Sequence, residues 1–127
     1  MRHRQVLTIL AAGLFAFLAF LHSGTLGGGP DPYAKARDRM VETLAERYKM
    51  DDEQILNVMS RVQRHLFVPE RHLKNAYEDR PLPIGFGQTI SQPFIVAFMT
   101  QIIGISDTSR VLEIGSGSGY QAAVLAE

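Results

Sequence analysis

The chain of 127 residues contains no cysteine. It therefore forms no disulfide, no zinc–thiolate site and no thiol nucleophile, although a cysteine-free chain tolerates either redox compartment. An excess of basic charge is also missing, because thirteen Lys and Arg residues balance thirteen Asp and Glu residues. A neutral chain is atypical of general nucleic-acid binding, so we expect no nucleic-acid partner. Hydrophobic residues at 46% and charged residues at 20% are typical of one globular domain rather than a disordered chain.

The sequence predicts no metal centre. His65 and His72 are seven residues apart, without a carboxylate partner at ligand spacing. We interpret both as ordinary surface or cap histidines rather than metal ligands.

Residues 1–29 differ in composition from the rest of the chain. Two arginines lie in the first five residues, and residues 6–21 are sixteen residues without charge. A basic start, an apolar run and small residues after it form the plan of a secretory signal, whereas a membrane-spanning helix needs about 20 residues. We expect a signal or anchor, with membrane contact through residues 6–21 and a glycine linker before Pro30. A buried N-terminal helix and a start codon assigned too early are the alternatives.

Residues 30–80 have the pattern of a helical subdomain. Asp31 is placed to cap a first helix with Pro32 at its first position, and Asp51 or Asp52 is placed to cap a second. The predicted inner face of the first helix comprises Ala36, Met40, Val41, Leu44, Ala45 and Tyr48. That of the second comprises Ile55, Val58, Met59 and Val62.

Pro69 ends the run that follows the second predicted helix. We expect Phe67 and Val68 to be extended, because the residue before a proline is biased away from helix. A short helical turn is expected around residues 73–77.

Residues 81–127 combine a polar loop and a glycine loop with apolar segments. GFGQTISQP at 85–93 carries two glycines, a proline, two amides and two hydroxyls. It precedes an apolar stretch, 94–103, which we predict as a buried helix ended by Gly104. VLEIG at 111–115 predicts a buried strand, and YQAAVLAE at 120–127 predicts a helix. Strand, glycine loop and helix in this order form the first unit of a nucleotide-binding α/β sheet.

The glycine loop favours a cationic ligand. Gly115, Gly117 and Gly119 form G-x-G-x-G, whereas the dinucleotide fingerprint has its third glycine one place later and a phosphate loop continues into Lys. No lysine lies near the loop, and Glu113 ends the strand before it. A carboxylate there disfavours pyrophosphate and favours a cation, which points to S-adenosylmethionine with its ammonium and sulfonium groups. The candidate cofactor contacts are Glu113, Gly115, Ser116, Gly117 and Gly119. A purely structural turn is the alternative, and it explains three alternating glycines after an acid poorly.

These motifs resemble a known enzyme family. LEIGSGSGY is similar to the first motif of class I S-adenosylmethionine-dependent methyltransferases. Taken with RHLFVPE and AYEDRPLPIGFGQTISQPFIVAFMT, it closely resembles the protein-L-isoaspartate O-methyltransferases, from about Met40 to Glu127. GQTISQP is characteristic of this family, whereas many methyltransferases share the glycine loop. Gln63 is a departure, since proline is expected before RHLFVP, and the apolar leader is another, because the family's usual members are soluble and intracellular.

The resemblance implies an α/β fold and a reaction. The expected fold is a Rossmann-like methyltransferase sheet with an N-terminal helical subdomain, and the sheet is incomplete in this chain. The expected reaction moves a methyl group from S-adenosylmethionine to the free α-carboxylate of L-isoaspartyl residues in damaged proteins and peptides. Ser91 matches the family's active-site serine, and we expect it to orient the carboxylate, because no His–Asp pair is placed to activate it. The resemblance implies that Gln88, Thr89 and Ser91 contact cofactor or substrate.

Two other functions and two locations are left open. A doubly wound sheet needs several more strands, so we expect the 127 residues to be an N-terminal fragment that binds cofactor weakly or not at all. Another S-adenosylmethionine methyltransferase with a small-molecule acceptor is one alternative, and a non-catalytic, membrane-tethered module is the other. The family's usual cytoplasmic location is expected, with export or anchoring through residues 1–29 as the alternative.

Overall fold

The computed structural model describes residues 30–127, so the predictions for residues 6–21 and for the glycine linker lie outside the described residues. Residues 32–127 cluster as one compact unit. Its elements in chain order are α1 (Ala34–Arg47), α2 (Glu53–Arg61), two 3-10 helices (Arg64–Phe67 and Glu70–Asn75), β1 (Leu82–Gly85), β2 (Gln88–Ile90), α3 (Pro93–Ile103) and α4 (Tyr120–Ala126). Within residues 30–127, no helix is both long and apolar enough to cross a membrane.

The first two helices pack against each other through the apolar faces that their spacing predicts. Met40 and Leu44 of α1 are buried. All four predicted inner residues of α2 are buried as well, namely Ile55, Val58, Met59 and Val62. A helix with one apolar stripe stabilises the fold chiefly by burying that stripe against a neighbour. These two helices therefore contribute a large part of the hydrophobic core against which the later elements pack.

The helix starts agree with the sequence at one position and differ at another. Asp52 caps α2, because its Oδ1 accepts a hydrogen bond of 3.1 Å from the backbone N–H of Ile55. The prediction that Asp31 caps the first helix is wrong, since α1 begins at Ala34 and Tyr33 takes the cap position. Pro32 and Tyr33 form a turn before the helix.

The connection from α2 to β1 is built from short 3-10 helices. Val68 is extended as predicted, with φ −119° and ψ 149°. Phe67 is not extended, because it closes the first 3-10 helix, in which the N–H of Leu66 bonds the carbonyl of Gln63 at 2.9 Å. The predicted turn near residues 73–77 is present but begins earlier, since the second 3-10 helix runs from Glu70 to Asn75.

The polar loop is the second half of a tight hairpin. β1 and β2 pair antiparallel, with Leu82 opposite Ile90. Gly85, Phe86 and Gly87 connect them with φ values of 106°, 50° and 70°. Left-handed backbone is costly for most residues but not for glycine, so the two glycines are needed to turn the chain here. Phe86 tolerates the same region only at an energetic cost.

Helix α3 forms where the apolar stretch predicts it. Pro93 stands at its first position, and Gly104 ends it in left-handed conformation with φ 62°. Val96 and Ala97 are buried, but the expectation of a fully buried helix is wrong. Its exposed apolar residues are Ile95, Phe98, Met99, Ile102 and Ile103.

The predicted strand at residues 111–115 is absent. Residues 110–115 have no regular secondary structure, and the sheet of the described residues is the two-stranded hairpin alone. A strand needs the backbone groups of a neighbour to pair with, and no other segment among residues 30–127 pairs with this one. Leu112 and Ile114 are 83% and 89% exposed. The fold described is therefore a mixture of helices with a small hairpin, and the Rossmann-like sheet stays a prediction.

Candidate active site

The polar loop and the glycine loop line a common cleft of about 460 Å³. A cavity of this size lies within the range of small-molecule sites. The predicted site residues that line it are Gln88, Thr89, Ser91, Glu113, Gly115, Ser116 and Gly117. Gly119 does not line the cleft, and it instead takes the cap position of α4 with φ 80°. Two segments far apart in sequence thus meet where the sequence places the candidate site.

The three alternating glycines all adopt left-handed backbone. The φ values of Gly115, Gly117 and Gly119 are 81°, 54° and 80°. A Cβ added at Gly117 would meet Ile84 Cδ1 at 3.8 Å, which is ordinary contact. The need for glycine there therefore comes from the backbone conformation rather than from crowding. The loop turns with its main chain open to the cleft, as close approach to a ligand requires.

Glu113 presents an unpartnered carboxylate oxygen in this cleft. Its Oε2 is buried and has no hydrogen-bond partner among the described residues. A buried polar atom without a partner costs free energy. A cationic group placed beside it would recover that cost. This is the charge complementarity that the ammonium of an amino acid or of S-adenosylmethionine offers.

The polar loop forms a neutral wall of the cleft. Gln88, Thr89 and Ser91 are exposed, and their side chains make no hydrogen bond within the described part of the chain. Their amide and hydroxyl groups are therefore available to a ligand. These three residues line the same cleft as the glycine loop, and their roles in catalysis or binding stay predictions.

Asp79 holds the chain immediately after Ser91, and the sequence analysis missed it. Its Oδ2 accepts hydrogen bonds from Tyr48 Oη at 2.5 Å and from Gln92 Nε2 at 3.0 Å. Its Oδ1 accepts a bond of 3.2 Å from the backbone N–H of Phe94. Asp79 thus caps α3 from a distant segment, because Gln92 at the cap position makes no cap bond itself. The hydrogen bond to Asp79 raises the pKa of Tyr48 above its usual value.

Arg64 supports the same loop from the other side, and it was also missed. It is 0% exposed, and its Nη2 donates a hydrogen bond of 2.7 Å to the carbonyl of Ser91. The guanidinium carbon lies 4.7 Å from the centre of the Tyr120 ring. Burial lowers the pKa of Arg64 and raises that of Tyr120 to about 12. No local sequence pattern marks Arg64 or Tyr120 as part of this arrangement, because their partners lie 12 to 61 residues away along the chain.

The two histidines do not join the cleft. His65 shares a hydrogen bond of 2.8 Å with Tyr77 through Nδ1 and stacks on Tyr33 at 4.1 Å. Neither His65 nor His72 lines the cleft. No group of three or more His, Cys, Asp or Glu residues among residues 30–127 is arranged to hold a metal ion.

Comparisons with known proteins match the part of the chain that builds this cleft. The family model described as protein-L-isoaspartate(D-aspartate) O-methyltransferase matches residues 35–127. Protein-L-isoaspartate O-methyltransferase 2 of Syntrophobacter fumaroxidans is 48% identical over 119 residues, which cover 87% of this chain and 48% of that protein.

Relatives from other lineages are at least as similar over a shorter span. The protein-L-isoaspartate O-methyltransferase of Methanoculleus marisnigri is 57% identical over 97 residues, covering 76% of this chain and 44% of that protein. The Synechococcus protein of the same name is 56% identical over 97 residues, covering 76% and 40%. The chain therefore spans about half the length, or slightly less, of the curated relatives it matches.

Proposed function

Because the chain belongs to the protein-L-isoaspartate(D-aspartate) O-methyltransferase family, we propose that it serves methyl transfer to the free α-carboxylate of L-isoaspartyl residues in damaged proteins. S-adenosylmethionine is the proposed methyl donor. The observation that carries the proposal is the cleft itself, which is lined by an unpartnered carboxylate and by neutral hydroxyl and amide groups. The names of the relatives support the reaction class.

The donor fits the glycine-loop side of the cleft. Glu113 would pair with its ammonium, and the open backbone of Gly115 and Gly117 would allow close approach. S-adenosylmethionine supplies an electrophilic methyl group on a sulfonium. The contacts proposed on this side are Glu113, Gly115, Ser116 and Gly117, whereas Gly119 shapes the loop at the start of α4 without lining the cleft.

The neutral wall suits a carboxylate acceptor. A carboxylate with a pKa of about 4 is already ionised at neutral pH, so the protein needs no strong base. When bound on the glycine-loop side, the donor would supply its methyl group to one carboxylate oxygen and would leave as a neutral thioether. Ser91 is proposed to orient the acceptor, with Gln88 and Thr89 beside it. The contribution of these residues is alignment and exclusion of water rather than proton transfer.

The approach to the cleft is open enough for a polypeptide. Gln88, Gly117 and Ser118 line both the main cleft and a neighbouring groove that includes Phe86. Phe86 projects fully into solvent at the hairpin tip. An acceptor residue on an extended peptide can therefore reach the cleft without a buried tunnel.

We further propose a cytoplasmic location, where the donor is made, and recovery of the protein solely in an envelope fraction would contradict it.

The reaction is tested with paired peptides. The natural protein carrying this sequence is incubated with methyl-labelled S-adenosylmethionine and two peptides that differ only in an isoaspartyl or an aspartyl linkage. We expect base-labile label on the isoaspartyl peptide alone. If neither peptide is labelled although the donor still binds, the isoaspartyl acceptor is wrong, and the protein is a methyltransferase that acts on another acceptor.

Glu113→Gln tests the donor side in the same protein. The substitution keeps the shape and removes the charge, so we expect S-adenosylmethionine binding to weaken on the order of tenfold, or about 1.4 kcal/mol. Glu42→Gln is the matched control, because Glu42 is an exposed residue of α1 outside the cleft. Equal dissociation constants for the two variants, measured by calorimetry, would remove Glu113 from the binding site.

A further inference from the structure

Arg64 is a charged side chain in a place that normally excludes charge. Among the described residues it is the one charged side chain in the buried class, and it is also the largest fully buried side chain. Neither described ion pair includes it. A buried guanidinium without a carboxylate partner is costly, because its hydration is lost without full replacement. An apolar residue of similar volume would fill the same space without that cost.

What replaces the hydration of Arg64 is a set of contacts from three different segments. Its Nε donates to the carbonyl of Ala76 at 2.8 Å, and its Nη2 donates to the carbonyl of Ser91 at 2.7 Å. The guanidinium also lies over the ring of Tyr120 at 4.7 Å. Its Nη1 is buried without a partner among the described residues, so the set of hydrogen bonds is incomplete.

Two of these contacts fall on the two segments that line the cleft. Ser91 follows β2 and belongs to the neutral wall, whereas Tyr120 is the first residue of α4, directly after the glycine loop. Tyr120 is itself 1% exposed, so its ring is a fixed platform. A planar guanidinium can bond a carbonyl in its plane and stack on a ring through its face at the same time. One side chain therefore links the residue after β2 to the first residue of α4.

We propose that Arg64 is a positioning residue for methyl transfer, which holds the Ser91 carbonyl and the start of α4 at the spacing that aligns acceptor and donor. This inference rests on the proposed function. Arg64 lies behind the walls and does not line the cleft, so it acts through Ser91 and Tyr120 and not by touching substrate. Misplacing reacting groups by about 1 Å costs up to about 100-fold in rate.

The test compares Arg64→Met with Arg61→Met in the natural protein. Arg61 lies three residues earlier and is exposed, with its side chain near Glu127, so it is a matched control for the loss of charge. We expect Arg64→Met to fold and to lower kcat on the isoaspartyl peptide at least about tenfold, with a smaller change in KM. Arg64→Lys is expected to recover less than half of the loss, because an ammonium cannot bond and stack together. Arg61→Met is expected to keep wild-type kcat.

Hydrogen exchange gives a readout that is independent of turnover. In Arg64→Met the amides of residues 88–92 and 119–122 should exchange at least about tenfold faster, while those of α1 keep their wild-type rates. Wild-type kcat in folded Arg64→Met, or unchanged exchange at both segments, would overturn the proposal. Loss of folding in Arg64→Met and in Arg64→Lys would overturn it as well, because a purely structural arginine predicts that result. An inactive wild-type protein would instead reject the proposed function, and the exchange rates would then decide the role of Arg64.

Discussion

Replacing Asp79 by alanine should destabilise the fold and release the chain after Ser91. Asp79 accepts three hydrogen bonds, from Tyr48, Gln92 and the backbone of Phe94. A bond to an ionised acceptor contributes about 1.5–3 kcal/mol when buried. Because Asp79 is only half-buried, we take about 1 kcal/mol for each bond. The expected loss in the free energy of unfolding is therefore about 3 kcal/mol.

Urea unfolding of the natural protein measures this loss, with two companion variants. Asp79→Asn keeps an oxygen that can accept from Phe94, so we expect an intermediate loss of about 1–2 kcal/mol. Asp38→Ala removes an exposed carboxylate of α1, and it should change stability by no more than about 0.5 kcal/mol. If Asp79→Ala and Asp38→Ala unfold at the same urea concentration with the same slope, the reasoning from these three bonds is wrong.

Three further predictions concern the loops and caps. Gly117→Ala should lower the free energy of unfolding by about 1–2 kcal/mol, because alanine disfavours the positive φ, and it should weaken donor binding measured by calorimetry. An unchanged unfolding midpoint would contradict this and show that the loop relaxes. Burial raises the pKa of Tyr120 to about 12, above about 10 in the unfolded chain. The neutral form of Tyr120 therefore contributes about 3 kcal/mol to the free energy of unfolding below pH 10, and this contribution is lost as the pH rises from 10 to 12. The free energy of unfolding should consequently fall less steeply with pH in Tyr120→Phe than in the wild type. Asp52→Ala should cost about 1 kcal/mol by removing the cap bond to Ile55, and equal thermal midpoints for wild type and variant would contradict it.

Local pattern was sufficient for several elements that neighbours along the chain decide, although it failed for the predicted cap at Asp31. The burial of Met40 and Leu44 follows from helical spacing, and the cap at Asp52 follows from its place before an amphipathic run. The positive φ of the glycine loop follows from its composition. That the polar loop and Glu113 share one site was expected from a family resemblance and not from periodicity.

Only the tertiary structure decided which polar groups are buried and which apolar groups are not. Arg64 and Asp79 hydrogen-bond the backbone on either side of Gln92, at Ser91 and Phe94. Each resembles an ordinary surface charge in the sequence, because these partners are distant along the chain. Conversely, the pattern of VLEIG predicts a buried strand, but Leu112 and Ile114 are exposed and no other segment among residues 30–127 pairs with this one. The sequence by itself determined most of the helices and turns, whereas the chemistry of the cleft stays a prediction. Long-range packing determined how the walls of that cleft are held, because hydrogen bonds and burial between distant segments leave no periodic signal.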